Sequence, residues 1–178
     1  MPSHTMELPR QIVLGDKNIG DVGNFLNSLK KTKKVSLISG GNVKKIVQKK
    51  IEASLIASKI KSSWYLAKMN DQKTIQYIEK KVRLSKSELV IGIGGGRSVD
   101  IAKLIGFNLN RPFVSVPTSA SHDGIASPFV SVKGDKPHSL VATAPLGVFV
   151  DVDIIKKAPK KTACKRLRRS HSKNYSCA

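Results

Sequence analysis

The sequence predicts an α/β fold built on a mostly parallel sheet with helices on both faces. Three observations carry that prediction. Short β-branched runs alternate with helical stretches along most of the chain. The interior runs are apolar at nearly every position, as strands buried on both sides are. The two loops richest in glycine and hydroxyl residues follow strands, where ligands sit in open α/β sheets.

Taken in order, QIVLG at 11–15 reads as the first strand, and NIGDVGNFLNSLK follows with apolar residues at helical spacing. VSLIS, Val35 to Ser39, is a buried strand that runs into Gly40-Gly41-Asn42, after which 43–55 is helical. SSWYLA supplies a third strand. DQKTIQYIEKKVRL opens on Asp71 as a helix cap and places Ile75, Ile78 and Val82 on one side. LVIGI, Leu89 to Ile93, is the clearest buried strand; a glycine turn and the helix SVDIAKLIGFN, starting near Ser98, come next. FVSV at 113–116 is another strand, and the polar loop PTSASHDGIAS follows it. IASPFVSV and GVFVDV add two strand-like runs, and Asp153 is placed to cap a short final helix. There is no internal repeat.

With 178 residues, 40% of them apolar, the chain is long enough for one domain with a real core. No apolar run approaches the roughly 18 residues of a membrane span. MPSHTMELPR lacks the apolar centre of a secretory signal. The two cysteines, Cys164 and Cys177, fall near the end, so no disulfide framework is expected and a cytoplasmic setting is the default. The formal charge of +20 is unevenly spread. Nine of the 32 Lys and Arg lie from Lys156 onward with no acid among them, so the first 155 residues carry 23 basic against 12 acidic side chains. Those lysines sit on polar helix faces such as NVKKIVQKKIEASL without interleaved aromatics, and no helix-turn-helix, zinc-finger or RNP pattern occurs. The composition therefore argues against a nucleic-acid partner and for a solvated basic surface suited to small anionic substrates.

Gly94, Gly95 and Gly96 stand between a strand and a helix. Glycines there permit positive φ and let a ligand approach the main chain, while the helix start offers unpaired N–H groups to an anion. Arg97 is expected to add a charged contact to phosphate, and Asp100 to sit in the first helical turn, in reach of a ribose hydroxyl or cofactor amide. Gly92 and Gly94 give G-x-G, but Arg97 stands where the dinucleotide fingerprint has its third glycine, and no Gly-Lys-Ser/Thr makes this a Walker loop. A bare strand-to-helix turn is the plain alternative. In the second loop, Thr118, Ser119 and Ser121 offer hydroxyls to a cofactor, and His122 and Asp123 could orient a polar substrate; read plainly, Asp123-Gly124 is an ordinary turn pair.

Together, GGGRSVDIAK and PFVSVPTSASHDGIASPFVSV resemble the archaeal sn-glycerol-1-phosphate dehydrogenase family, within the dehydroquinate synthase-like and metal-dependent alcohol dehydrogenase group. The resemblance runs from about Leu8 to Lys160 and matches the N-terminal half of that family. GGGxxxD occurs across the group; SASHDGIAS is what narrows the match, since iron-type alcohol dehydrogenases carry a PTTAGTGSE-like segment instead. The resemblance implies reduction of dihydroxyacetone phosphate by NADH or NADPH to sn-glycerol 1-phosphate, for archaeal ether lipids. It implies that Gly96, Arg97, Ser98, Val99 and Asp100 form the dinucleotide turn that Gly94 and Gly95 open. It also implies that Thr118, Ser119, Ala120, Ser121 and Ser127 contact the cofactor and Asp123 the substrate. No residue is singled out as catalytic. Gly40-Gly41-Asn42 carries no acid to bond a ribose 2′-hydroxyl or repel a 2′-phosphate, so use of both NAD and NADP is expected. Relatives in the family imply a homo-oligomer.

Family members are about twice this length, and their second, helical domain supplies an Asp and two His to zinc. Residues 1–160 are thus expected to be the dinucleotide-binding domain and 161–178 an aberrant basic tail, leaving the chain without its metal ligands and unable to turn over. One permissible codon set for 162–178, read one base later, spells LLASGCGDLIAKITAV, similar to the family segment expected there. A frameshift is the leading expectation for the tail, and a natural basic tail that binds nucleic acid or anionic lipid is the rival. Cys164 and His171 lack paired metal-ligand spacing. A glycerol dehydrogenase-like enzyme of the same group is the alternative activity.

Overall fold

The computed structural model describes residues 8–120, 125–132 and 138–158. Its elements are β1 (Gln11–Gly15), a 3-10 turn (Ile19–Asp21), α1 (Val22–Leu29), β2 (Lys34–Ser39), α2 (Gly41–Ala57), β3 (Lys61–Leu66) and α3 (Gln72–Ser85). There follow β4 (Leu89–Gly94), α4 (Gly96–Asn108), β5 (Phe113–Pro117), β6 (Phe129–Val132), β7 (His138–Val141), β8 (Gly147–Asp151) and α5 (Val152–Lys156). Six strands form one sheet in the order β1-β8-β5-β4-β2-β3, every neighbouring pair parallel, and β6 and β7 form a separate antiparallel hairpin.

Side-chain alternation divides the core into two layers. On one face Val35 and Leu37 of β2, Leu89, Ile91 and Ile93 of β4 and Val114 and Val116 of β5 pack under α1 and α2. On the other, Ile38, Val90 and Phe113 pack under α3 and α4. Both faces of the central strands are therefore dry, which is why they read as continuous apolar runs. Helix α2 presents Val47, Ile51 and Leu55 at helical spacing, and α3 presents Ile75, Ile78 and Val82. Asp71 caps α3 as expected, accepting the Thr74 N–H at 2.7 Å.

The final helix departs from its expected cap. Val152 already belongs to α5, so the strand passes into the helix without a loop, and the cap is Asp151. Its buried carboxylate accepts the N–H of Ile154 at 3.3 Å and also those of Lys17 at 3.2 Å and Ile19 at 2.9 Å. One side chain thus fixes the ends of β1 and β8 together. Asp153, inside the first turn, pairs instead with Lys157 at 2.7 Å. The tail 161–178, and with it the expected domain boundary, lies outside the described residues.

Candidate functional site

β4 and β5 are adjacent, with Gly94 opposite Pro117, so the two polar loops leave the sheet side by side. The Thr118 N–H donates to the Gly94 carbonyl at 3.0 Å, extending the pairing one step beyond the strands. A Cβ on Gly95 would lie 3.2 Å from the Ser119 hydroxyl oxygen. The glycine turn and the start of PTSA therefore stand side by side at the carboxyl edge of the sheet, as the two lips that a crevice there would have.

The turn uses its glycines unequally. Gly94 has φ +142°, a conformation that L side chains rarely adopt. Gly95 is the helix N-cap in an ordinary extended conformation (φ −80°, ψ −177°), and Gly96 begins α4. No side chain caps this helix end. The Ser98 and Val99 amides turn back to the Gly95 carbonyl at 3.1 and 3.3 Å, so the donors this helix start offers an anion are the Gly96 and Arg97 amides. Upstream, Gly92 faces α4: a Cβ there would sit 2.8 Å from Ala102 Cβ and 3.0 Å from Val99 Cα. The absence of a side chain at Gly92 sets how closely α4 lies on β4.

The helix starts two residues earlier than the sequence suggests, and this corrects the reading of Asp100. It stands in the second turn, buried at 2% exposure, rather than among the first-turn residues that meet the helix dipole. Ser98 and Val99 are also buried, Val99 within the α3/α4 core layer. Arg97 is exposed, and its guanidinium donates to the Lys68 carbonyl at 3.0 Å, toward the loop after β3. Thr118 is buried, Ser119 half-buried and Ala120 exposed. Ser127 lies half-buried just before β6. Ser121, His122 and Asp123 lie outside the described residues.

Thr118 also lines a cleft of about 530 Å³ between α2 and α5, together with Asn42, Val43, Lys50, Ile154 and Lys157. Its lining is mostly apolar, with Lys50 and the Asp153–Lys157 ion pair as its charged groups. Sequence reasoning passes over Lys103. This side chain is fully buried and donates to the carbonyls of Ser127 at 2.6 Å and Phe129 at 2.9 Å. A signal was present: Val99, Ile101, Ala102 and Ile105 flank Lys103 with apolar side chains, and all four are buried, although Phe107 on the same helix is half exposed. Among the described residues no three His, Cys, Asp or Glu side chains gather where a metal ion could bind. No helix among them is long and apolar enough to cross a membrane.

The chain is 65% identical over 161 residues to glycerol-1-phosphate dehydrogenase (NAD(P)+) of Nitrosopumilus maritimus, and 60% identical to the enzyme of that name from Cenarchaeum symbiosum. Each match covers 90% of this chain and 46% of the relative, so the chain spans about half the length of the curated relatives it matches. Among solved structures, glycerol dehydrogenase from Schizosaccharomyces pombe superposes with a TM-score of 0.83 at 22% identity, covering 91% of this chain and 42% of that one. A 1,3-propanediol oxidoreductase superposes with a TM-score of 0.82 at 16% identity, covering 93% and 50%. At those identities the superpositions speak to the fold alone. The pattern of iron-containing alcohol dehydrogenases matches residues 13–159, the span that holds the parallel sheet and both lips of the crevice, and the chain belongs to that family.

Proposed function

We propose that this chain carries the dinucleotide-binding part of an NAD(P)H-dependent glycerol-1-phosphate dehydrogenase. In that reaction a hydride passes from the nicotinamide to the carbonyl carbon of dihydroxyacetone phosphate, and a proton completes the alcohol of sn-glycerol 1-phosphate. The observation that carries the reading is the Thr118-to-Gly94 hydrogen bond, which sets the glycine turn against the hydroxyl-rich loop. The α4 amides and the turn from Gly94 to Arg97 would receive the pyrophosphate. Thr118 and Ser119 would bond the ribose and amide near the nicotinamide, with Ala120 and Ser127 bordering it. Ser98, Val99 and Asp100 would support the turn from beneath, since all three are buried. Ser121 and Asp123 complete the proposal as cofactor and substrate contacts carried by the family resemblance. The described residues supply no ligand set for the family's metal, and no step is assigned to one.

The turn after β2, Gly40-Gly41-Asn42, has no acid to discriminate against a 2′-phosphate, which supports use of both NADH and NADPH. Titration calorimetry of the chain with each cofactor tests this. Dissociation constants within about tenfold of each other are expected, and binding of neither overturns the reading. A chain extended to the relatives' length should reduce dihydroxyacetone phosphate, and oxidation of glycerol alone would point to the glycerol dehydrogenase alternative. Salt-sensitive binding to DNA or anionic vesicles without any response to NAD(P)H would favour the basic tail as the functional element.

A further inference from the structure

Lys103 lies two turns into α4 with its side chain fully buried. A buried ammonium is costly unless strong acceptors replace its water, and two main-chain carbonyls are among those it has, Ser127 at 2.6 Å and Phe129 at 2.9 Å. The intervening Pro128 carbonyl points the other way, toward the β7 side, and accepts the Ala142 N–H at 2.9 Å. Pro128 has no N–H to offer a partner. The ammonium thus bridges the Ser127 and Phe129 carbonyls and ties the entry to β6 onto α4. Helix α4 itself is fixed to β4 by the close approach at Gly92.

We infer that Lys103 is a positioning residue for the cofactor. By tying 127–129 to α4, it makes the glycine turn at the helix start and the Ser127 hydroxyl parts of one rigid body. The far end of the polar loop is then held as firmly as its near end, where Thr118 bonds Gly94. This inference rests on the dinucleotide reading above. It assigns to Lys103 no contact with the cofactor. Its effect is confined to the half of the ligand that meets Ser127, while the diphosphate meets the glycine turn.

The test compares NADH with ADP, which brings a diphosphate but no nicotinamide. The full chain and its Lys103→Met and Lys103→Gln variants are titrated with both, after far-UV circular dichroism confirms folding. Lys103→Met should weaken NADH binding about tenfold, as loss of charge-assisted anchoring would, and leave ADP within about twofold. Lys103→Gln, which keeps a shorter neutral donor, should fall between, and it stands in if Lys103→Met does not fold. A folded variant with unchanged NADH affinity overturns the inference, as does one that loses NADH and ADP in the same proportion. If the unsubstituted chain binds neither ligand, the proposed function fails, and amide exchange over 125–132 decides the clamp by itself. Faster exchange there in Lys103→Gln, with β4 and β5 unchanged, supports the clamp; no change overturns it.

Discussion

Gly94 and Gly95 are neighbours in the same turn, and alanine at each should fail in a different way. At Gly94 the backbone has φ +142°, a strain of about 1–3 kcal/mol for an L residue. The new methyl would also stand 3.0 Å from Ser98 Oγ and 3.2 Å from Ser98 Cβ. Together these bring the expected loss for Gly94→Ala to about 2–4 kcal/mol of folding stability. Gly95 has φ −80° and ψ −177°, open to any residue. Alanine there gains about 0.4–1 kcal/mol by restricting the unfolded chain, offset by a comparable cost because alanine is a poorer N-cap than glycine. Against that stands the 3.2 Å contact with the Ser119 hydroxyl, so the net change should stay within about 1 kcal/mol. Its methyl, however, stands between the two lips of the crevice. NADH affinity should fall at least about tenfold, equivalent to roughly 1.4 kcal/mol. Urea unfolding followed by the single tryptophan, Trp64, which packs against the core from β3, reads stability, and calorimetry reads binding. Equal destabilisation by both variants, or a folded Gly95→Ala with full NADH affinity, would refute this account of the turn.

Three further outcomes follow from particular contacts. Gly92→Ala should cost about 1–3 kcal/mol by urea unfolding, because its methyl meets Ala102, Val99 and Phe113 at 2.8–3.1 Å; an unchanged midpoint would show that α4 does not lie that close. Asp151→Ala should cost about 2–4 kcal/mol, roughly 5–15 °C in Tm, since it strips the acceptor from the Lys17, Ile19 and Ile154 amides; a shift under a degree would count against the strand-end lock. The Thr74 N–H bonded to Asp71 holds that carboxyl below its ordinary value of 3.8. Because the folded-state value is lowered, the contribution is complete above the unfolded value and is lost as pH falls through the folded one. Asp71→Asn keeps a cap without a titrating group, so its acid unfolding profile should lose that component; a superimposable profile would show that the cap contributes no pH dependence.

Most of the sheet was legible in the sequence because β2, β4 and β5 are buried on both sides and so carry unbroken apolar runs. The adjacency of the two polar loops was legible too, since loops that follow neighbouring strands of a parallel sheet emerge together. Four features were harder to read. VDVD offers two aspartates as caps, and only the abrupt passage from strand to helix at Val152 selects Asp151. GGG shows that a special backbone is permitted without saying which glycine adopts it; the structure assigns the positive φ to Gly94. Lys103 reads as one more lysine in a basic chain, and the Ser127 and Phe129 carbonyls it bonds are main-chain groups that no side-chain pattern reveals. The hairpin strand β7 is short and antiparallel, outside the alternation that marks the rest.

The most direct test of the central claim is a backbone amide NMR titration of the chain with NADH. A single crevice predicts that the largest shifts fall together on Gly95, Gly96 and Arg97 and on Thr118, Ser119 and Ala120, saturating with one dissociation constant. Shifts confined to the lysine-rich face of α2, or the two loops responding with different constants, would contradict it.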